Sequence, residues 1–362
     1  MPTLVGPEIA RPAGVTPKPK KKLARRLVPD HSQTLRRSFQ AAFLLLNIWI
    51  GVSFYFWVVA FERGDSAAGV LTRPPGVEGW LPIMGLMNLK FLFITGTVPR
   101  IHPAAMFLIA AFLAISFLAR KSFCSWLCPV GTLSEWLWRA GRRLFRRNFR
   151  LPRALDVPLR SLKYLLLAFF LWAVGGMSAE AIAGFLSSPY GLIADVKMLN
   201  FFRFLSTTAA VVLIVLALAS LFIQNFWCRY LCPYGALVGL AALPSPLRIR
   251  RDAQACIDCA KCAKACPSAL PVDKLVTIKS AECTGCMECV AVCPAEGALQ
   301  MSPVLTKRRV PEWAVAALIA ALFLGTVGYA QLTGKWATNL PDYVYRQLVP
   351  RASEAAHPMP GE

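Results

Sequence analysis

The sequence predicts an α-helical integral membrane protein of about five transmembrane helices, with a cytoplasmic α+β domain inserted before the last of them. Three observations point there: an apolar composition, apolar runs of spanning length, and basic residues gathered in alternate connections. Of 362 residues, 56% are hydrophobic and 16% are charged, and the mean hydropathy is positive, the balance of a membrane chain. A net charge of +21 would raise nucleic acid as a partner in a soluble protein. Here no aromatic–basic motif accompanies it, and Lys- and Arg-rich cytoplasmic loops account for it. Membrane lipid is the expected partner, and nucleic acid is not.

In chain order, residues 1–38 form a basic tail with nine Lys or Arg against two acids. The tail is expected to be disordered and drawn to anionic lipid. The first apolar run starts only near Phe39, so no cleavable leader is expected. Spans are expected at about 39–61, 101–119, 162–186, 204–226 and 312–332, each close to the length a bilayer requires. The stretch 80–98 is apolar but broken by Pro82, Gly85, Asn88, Lys90 and Gly96. It is expected to be re-entrant or interfacial on the outer face. Basic blocks at 1–38, 120–161 (Arg142, Arg143, Arg146, Arg147, Arg150, Arg153) and 227–311 (Arg248, Arg250, Arg251, Lys307, Arg308, Arg309) place those segments inside. The resulting division is a membrane domain of four spans at 39–246, a cytoplasmic domain at 247–306, a fifth span at 307–336 and a short outer tail at 337–362.

The cytoplasmic domain carries the clearest chemistry. Two copies of C-x2-C-x2-C-x3-C-P occur, Cys256, Cys259, Cys262, Cys266 with Pro267, and Cys283, Cys286, Cys289, Cys293 with Pro294. In this bacterial two-cluster ferredoxin spacing, three close thiolates hold one 4Fe–4S cube and the fourth ligates the other. Cys256, Cys259, Cys262 and Cys293 are therefore expected on the first cluster, and Cys283, Cys286, Cys289 and Cys266 on the second. Structural zinc usually uses separate C-x2-C pairs with longer gaps and fits less well. A reducing cytoplasm disfavours disulfides, and no C-x-x-C is followed by His, as haem c attachment requires. Lys261 and Lys264, within the first loop, would offset cluster charge and raise its potential.

The other four cysteines form a second duplication. Phe123-Cys124-Ser125-Trp126-Leu127-Cys128-Pro129-Val130-Gly131 parallels Trp227-Cys228-Arg229-Tyr230-Leu231-Cys232-Pro233-Tyr234-Gly235, each after a long apolar run. Pro suits the first position of a new helix, so Cys128 and Cys232 are expected at helix N-termini, where thiolate is favoured. Brought together, Cys124, Cys128, Cys228 and Cys232 would make a metal or cluster site, a pair of redox dithiols, or a soft-metal site suited to Cu(I). Buried span-end thiols are the plain alternative.

Paired C-x3-C-P motifs followed by a tandem ferredoxin run in a multispan chain resemble the NapH/NosR-type membrane polyferredoxins, over residues 39 to 332 or so. The resemblance implies a bacterial cytoplasmic (inner) membrane protein with two 4Fe–4S clusters on the cytoplasmic side, passing electrons between the quinone pool or a cytoplasmic donor and another redox protein. It implies a quinol dehydrogenase-type component rather than a stand-alone enzyme. The twelve cysteines match position by position. NosR-type members carry a large outer flavin domain before their spans; with 38 residues ahead of the first span here, a stand-alone member without that flavin is expected. The alternative functions are a membrane copper reductase or a cofactor-assembly factor using the C-x3-C-P thiolates. The histidines, His31, His102 and His357, cannot face each other as bis-His haem b ligands within the bilayer. His102, beside Pro103, could hydrogen-bond a quinone or relay its proton, or simply bond backbone at a helix start; Glu180 and Asp195 are weaker suspects of the same kind.

Overall fold

The computed structural model describes residues 24–26, 30–64, 71–146, 149, 151–306 and 308–358. The first long helix, α1 (Ser32–Glu62), leads through a 3-10 turn at Pro75–Trp80 to α2 (Pro82–Thr95) and α3 (Pro103–Ala119). Two motif helices follow, α4 (Ser122–Trp126) and α5 (Pro129–Phe145), and then α6 (Arg153–Gly176). Short helices α7 (Ala179–Ser187), α8 (Pro189–Leu192) and α9 (Ala194–Arg203) lead into α10 (Thr207–Phe222). A π-helical turn at Trp227–Leu231 and α11 (Pro233–Ala241) complete the second motif. Strands β1 (Leu247–Arg251) and β2 (Leu299–Pro303) enclose α12 (Lys261–Ala265) and α13 (Glu288–Ala291), before α14 (Glu312–Leu332) and α15 (Asp342–Leu348). Proline opens α2, α3, α5, α8 and α11, where its fixed φ is pre-set and its missing N–H leaves nothing unpaired.

The molecule is mostly helical. Helices α1, α6 and α14 are long and apolar enough to cross a membrane, and α9 with α10, bent by 80° at their junction, would make a fourth. Their outward faces are apolar, as lipid contact demands: Trp49 and Phe56 on α1, Phe169 and Trp172 on α6, and Val211 to Val215 on α10 are all exposed. The expected run 162–186 is broken, because α6 ends at Gly176 and α7 restarts after the Ser178 cap, whose Oγ accepts from the Ala181 N–H. Helix α3 is different in kind. Its 17 residues reach about 25 Å, the lower end of what a bilayer crossing takes, and Ala104, Ala105, Ile109, Ile115 and Ala119 are fully enclosed. It is a central helix wrapped by α2, α14 and α11. Helix α2, with 14 residues, is shorter still and lies against α3 and α7. Its out-of-place Lys90 donates to the Val174, Gly175 and Met177 carbonyls at 3.0, 2.7 and 2.5 Å, a cation capping the C-terminus of α6.

The described residues nearest either end take regular structure. Helix α1 begins at Ser32, inside the stretch read as a disordered tail, because Arg36 is clamped by Glu135 of α5. Ahead of it, the Arg26 N–H donates to the Pro294 carbonyl at 3.0 Å and the Glu296 N–H to the Ala24 carbonyl at 2.8 Å, so this segment pairs with the cysteine-rich lobe. The residues before Ala24, including Lys18 and Lys20–Lys22, lie outside the described residues. At the far end α15 packs Tyr345 edge-on against Trp57 with centroids 5.0 Å apart, in a cluster with Phe54, Phe61, Ile193 and Val349.

Strands β1 and β2 pair antiparallel, with Ile249 opposite Met301. Both of these face inward while Arg248 and Arg250 face out, the period-two pattern of a half-buried ribbon. One continuous apolar core joins this lobe to the helices: Ile115, Phe123 and Trp126 pack with Ile249, Leu270, Met287 and Val315. The lobe is seated on the helix bundle rather than tethered to it.

Candidate metal centres

The cysteine loops repeat a backbone, not only a spacing. Two residues after its first cysteine each loop has a left-handed residue, Asp258 (φ 56) and Gly285 (φ 61). Four residues after it comes another, Ala260 (φ 55) and Met287 (φ 55). Non-glycine residues pay for this conformation. What it provides is a run of inward-turned N–H groups, the concavity that binds anionic iron–sulfur groups. Glycine is required at 285 for a second reason: a Cβ there would sit 2.6 Å from Ser122 Oγ and 3.0 Å from the Ala119 carbonyl.

Cys266, Cys283, Cys286 and Cys289 line one cavity, closed by Ile249, Leu270 and Met287. The other four also gather: Cys293 lies in electrostatic range of Cys259 and Cys256, and Cys262 of Cys293 and Cys256. The two sets differ in depth. Cys266, Cys286 and Cys289 are buried, whereas Cys259 is exposed and Cys256, Cys262 and Cys293 are half-buried. Burial pushes the Cys286 thiol up to about 12 and Cys266 to about 11. A cation bound to such a thiol displaces its proton and stabilises the thiolate, which is what iron supplies. The donor chemistry, the duplicated concave backbone and the shared cavity all suit 4Fe–4S groups.

An ionic brace holds the second loop from below. Arg36, fully buried, makes a bidentate pair with Glu135 at 2.6 and 2.7 Å. Arg139 joins Glu135 and Glu288 at 2.8 Å each. Gln33 Nε2 donates to the Cys286 carbonyl at 2.8 Å, and Gln40 Nε2 to the Ser125 carbonyl at 3.0 Å. Helices α1 and α5 thereby fix the loops of Cys124 and Cys286 together.

The C-x3-C-P repeats are interlocked. Cys128 caps α5 and Cys232 caps α11, their Sγ atoms accepting from the Gly131 and Gly235 N–H groups at 3.4 and 3.2 Å. The helix before the motif in each repeat packs on the helix after it in the other, α3 on α11 and α10 on α5. Phe123 meets Tyr234 edge-on across the join, 5.6 Å between centroids. This reciprocity is that of a pseudo-two-fold pair, and it collects all four thiols. Cys228 lies in electrostatic range of Cys232, Cys128 and Cys124, and Cys124 in range of Cys232. Cys124 and Cys228 open on a cavity also lined by Lys121, Glu282 and Cys286. Lys163, with no exposed surface, pairs with Glu282 at 2.6 Å, and Tyr164 donates to the same carboxylate at 3.1 Å. Among the described residues no three His, Cys, Asp or Glu side chains converge closely enough for a single metal ion.

His102 is remote from these cysteines in the fold. It starts α3 with φ 52 and is fully buried. Its Nδ1 lies 3.2 Å from Arg73 and 3.3 Å from Glu78 Oε1, and its Nε2 lies 2.9 Å from the Gly191 carbonyl. Asp195 holds Arg73 at 2.7 Å, and Thr338 donates to Glu78 at 2.7 Å. Both ring nitrogens are engaged, so a quinone oxygen would reach the ring only by displacing a partner. Glu180 is exposed at the start of α7 and joins none of these groups. The side chains that sequence reasoning passed over are Lys121, Lys163, Glu282, Arg36 and Glu135. Only the presence of charges in or beside apolar runs pointed to them.

Comparison with known families agrees with this geometry. The family described as "4Fe-4S binding domain" matches residues 101–152 and again 205–251, one match over each C-x3-C-P repeat. The "4Fe-4S dicluster domain" matches residues 249–301. YccM of Escherichia coli (strain K12), which carries an electron-transport designation, is 48% identical over 332 residues, 90% of this chain and 93% of that protein. The ferredoxin-type protein NapH of the same organism is 27% identical over 63% of this chain and 71% of its own length. The regulatory protein NosR of Pseudomonas aeruginosa is 33% identical over 44% of this chain but only 22% of its own length. No solved structure matches. With its duplicated cluster motifs, its apolar helices and its near full-length likeness to YccM, the chain belongs to the NapH/NosR-type family of 4Fe–4S ferredoxin-like membrane proteins and transfers electrons through iron–sulfur clusters.

Proposed function

We infer that Cys256, Cys259, Cys262 and Cys293 hold one 4Fe–4S cluster and Cys283, Cys286, Cys289 and Cys266 the other. The observation that carries this is the cavity shared by Cys266, Cys283, Cys286 and Cys289, which is the crossed set expected from the spacing. When bound, the clusters supply reversible one-electron storage. The chain's own part is to seat them. Ile249, Leu270 and Met287 keep water from the deeper site, the left-handed residues turn N–H groups inward, and the brace of Arg36, Glu135, Arg139 and Glu288 fixes the lobe to the helices. Electrons enter or leave at the shallower cluster, where Cys259 is exposed, and pass between it and the buried one.

In the same reading the lobe faces the cytoplasm, five segments cross the membrane with α3 as an enclosed fifth, and the partners are the quinone pool and another redox protein. Basic residues on the lobe side support the orientation. An inner-face quinone site would spare electrons a crossing of about 30 Å.

The test of the cluster assignment is low-temperature EPR with iron counting on serine variants. C266S should remove the same signal as C286S, and C293S the same signal as C259S, each with loss of about four irons. If C266S instead tracks C259S, the crossed assignment is wrong. Reduction of the clusters by a quinol in proteoliposomes tests the partner, and its absence would refute the quinone link.

A further inference from the structure

We propose that Arg120, Arg248 and Arg250 form a binding site for a phosphate-bearing anion where the lobe meets the helices, and that its occupant is the headgroup of an anionic phospholipid.

Arg248 and Arg250 lie two residues apart on β1 and so share the outer face of the ribbon. Both guanidiniums are held by backbone. Arg248 Nη2 donates to the Leu243 carbonyl just past α11 at 2.9 Å, and Arg250 Nη2 to the Val304 carbonyl at 2.8 Å. Arg120, fully buried at the end of α3, donates to the adjoining Ala242 carbonyl at 2.9 Å. Burial and the like charges of Arg120 and Arg250 together lower the pKa of Arg248. The nearby Arg251 and Arg309 reach Asp258 and Glu312, whereas among the described residues no carboxylate pairs with Arg120, Arg248 or Arg250. The C-terminal dipole of α11 is worth about half a charge, so most of three positive charges stays uncompensated. The cavity of the deeper cysteine set lies behind Ile249, on the ribbon's other face.

A second, independent observation shows what is wanted there. Four buried donors at this place are unsatisfied, the Nε of Arg120, Arg248 and Arg250 and the Oγ of Ser302. Ser302 stands directly opposite Arg248 in the ribbon, on the arginines' face, and has no exposed surface. A guanidinium has no acceptor and a hydroxyl can donate, so the complement of this set carries several acceptor oxygens. A water would satisfy one donor and offset no charge. A phosphate does both, and the planar fork of arginine matches its oxygens.

The position favours a lipid as the source of that phosphate. Only residues 304–311 separate β2 from α14, one of the membrane-length helices. Leu243 and Val304, whose carbonyls hold the two outer arginines, are exposed, and Leu305 is 92% exposed. Bare apolar side chains beside uncompensated guanidiniums suit the boundary between headgroups and acyl chains. A bound headgroup would tie α3, the end of α11 and the ribbon together through one anion.

Lipid binding to the full-length protein, stripped of lipid in a neutral detergent, decides the matter. Dioleoylphosphatidylglycerol should bind the wild type at least about tenfold more tightly than R248Q/R250Q, the effect of losing charge-assisted contacts. Zwitterionic dioleoylphosphatidylcholine should bind both alike. R142Q/R143Q removes two exposed arginines from the end of α5, controls for charge alone, and should keep the wild-type affinity. A monodisperse gel-filtration profile and wild-type iron content certify folding, and R248Q or R250Q alone serves if the double variant fails them. Equal affinity in wild type and R248Q/R250Q, or an equal loss in R142Q/R143Q, would overturn the site. Inorganic phosphate held by the wild type and not by R248Q/R250Q, with no preference for phosphatidylglycerol over phosphatidylcholine, would uphold the anion site and overturn its assignment to lipid.

Discussion

Arg36 lies on the first turns of a helix otherwise built to meet lipid, yet it has no exposed surface. Its guanidinium forks onto Glu135, and such buried pairs matter less for their net attraction than for what remains when one partner is lost. R36M should therefore destabilise the protein by about 3 kcal/mol, the low end for a broken buried pair, since Arg139 still reaches Glu135 at 2.8 Å. The double variant R36M/E135L should recover most of that loss. Denaturant titration in micelles checks both, and a double variant no better than the single one would refute the account. Glycine tells a similar story of inequality between equivalents. A Cβ on Gly131 would lie 2.2 Å from the Cys124 carbonyl, while one on Gly235 would lie 3.5 Å from the Cys228 carbonyl. G131A should displace the first motif and lower iron incorporation, and G235A should be tolerated; iron content and thermal stability of the two proteins decide it.

At the scale of elements, the repeat dictates how the helices meet. Gly141 of α5 is the point of closest approach to α10, with a Cβ there placed 1.9 Å from the Leu221 carbonyl. The offending atom is backbone, so the helices must part. G141A should cost about 1–3 kcal/mol, the range of overpacked cores, and a neutral result would mean that α5 and α10 are not in this contact. The duplicated C-x3-C-P could be read from sequence because spacing, proline and glycine punctuate it locally. Its convergence could not. Which face of α3 meets α11 is set by contacts between residues more than a hundred positions apart, and α3 itself is nearly uniformly apolar, so it carries no stripe to orient it. The same uniformity hid its role, since an enclosed central helix and a lipid-facing span look alike in composition. Lys90 was legible only as an interruption of an apolar run, whereas its work is to cap a helix 84 residues away.

The molecule as a whole resolves what its cysteines alone leave general. A ferredoxin spacing is a local pattern and so marks iron–sulfur chemistry at once, but it is silent on what supports the lobe. That support is the membrane helices. Gly285 fits against Ser122 and Ala119, Glu282 reaches Lys163, the Ser125 Oγ donates to the Thr284 carbonyl at 2.7 Å, and Ile115 and Phe123 share a core with Ile249 and Met287. A 60-residue lobe is near the lower limit for independent folding, and here part of its core is supplied by its neighbours. The fragment 247–306 should therefore fail to hold both clusters when expressed alone. Its deeper site should be affected first, because Cys266, Cys286 and Cys289 lie on the side packed against α3 and α4, whereas Cys259 faces outward. Reconstitution of the fragment with iron and sulfide, followed by EPR and iron counting, gives the answer. A fragment carrying about eight irons with the signals of the intact protein would show that the lobe is self-sufficient and that its seat on the bundle serves only to position it. Loss confined to the deeper cluster would show instead that the helices complete that site.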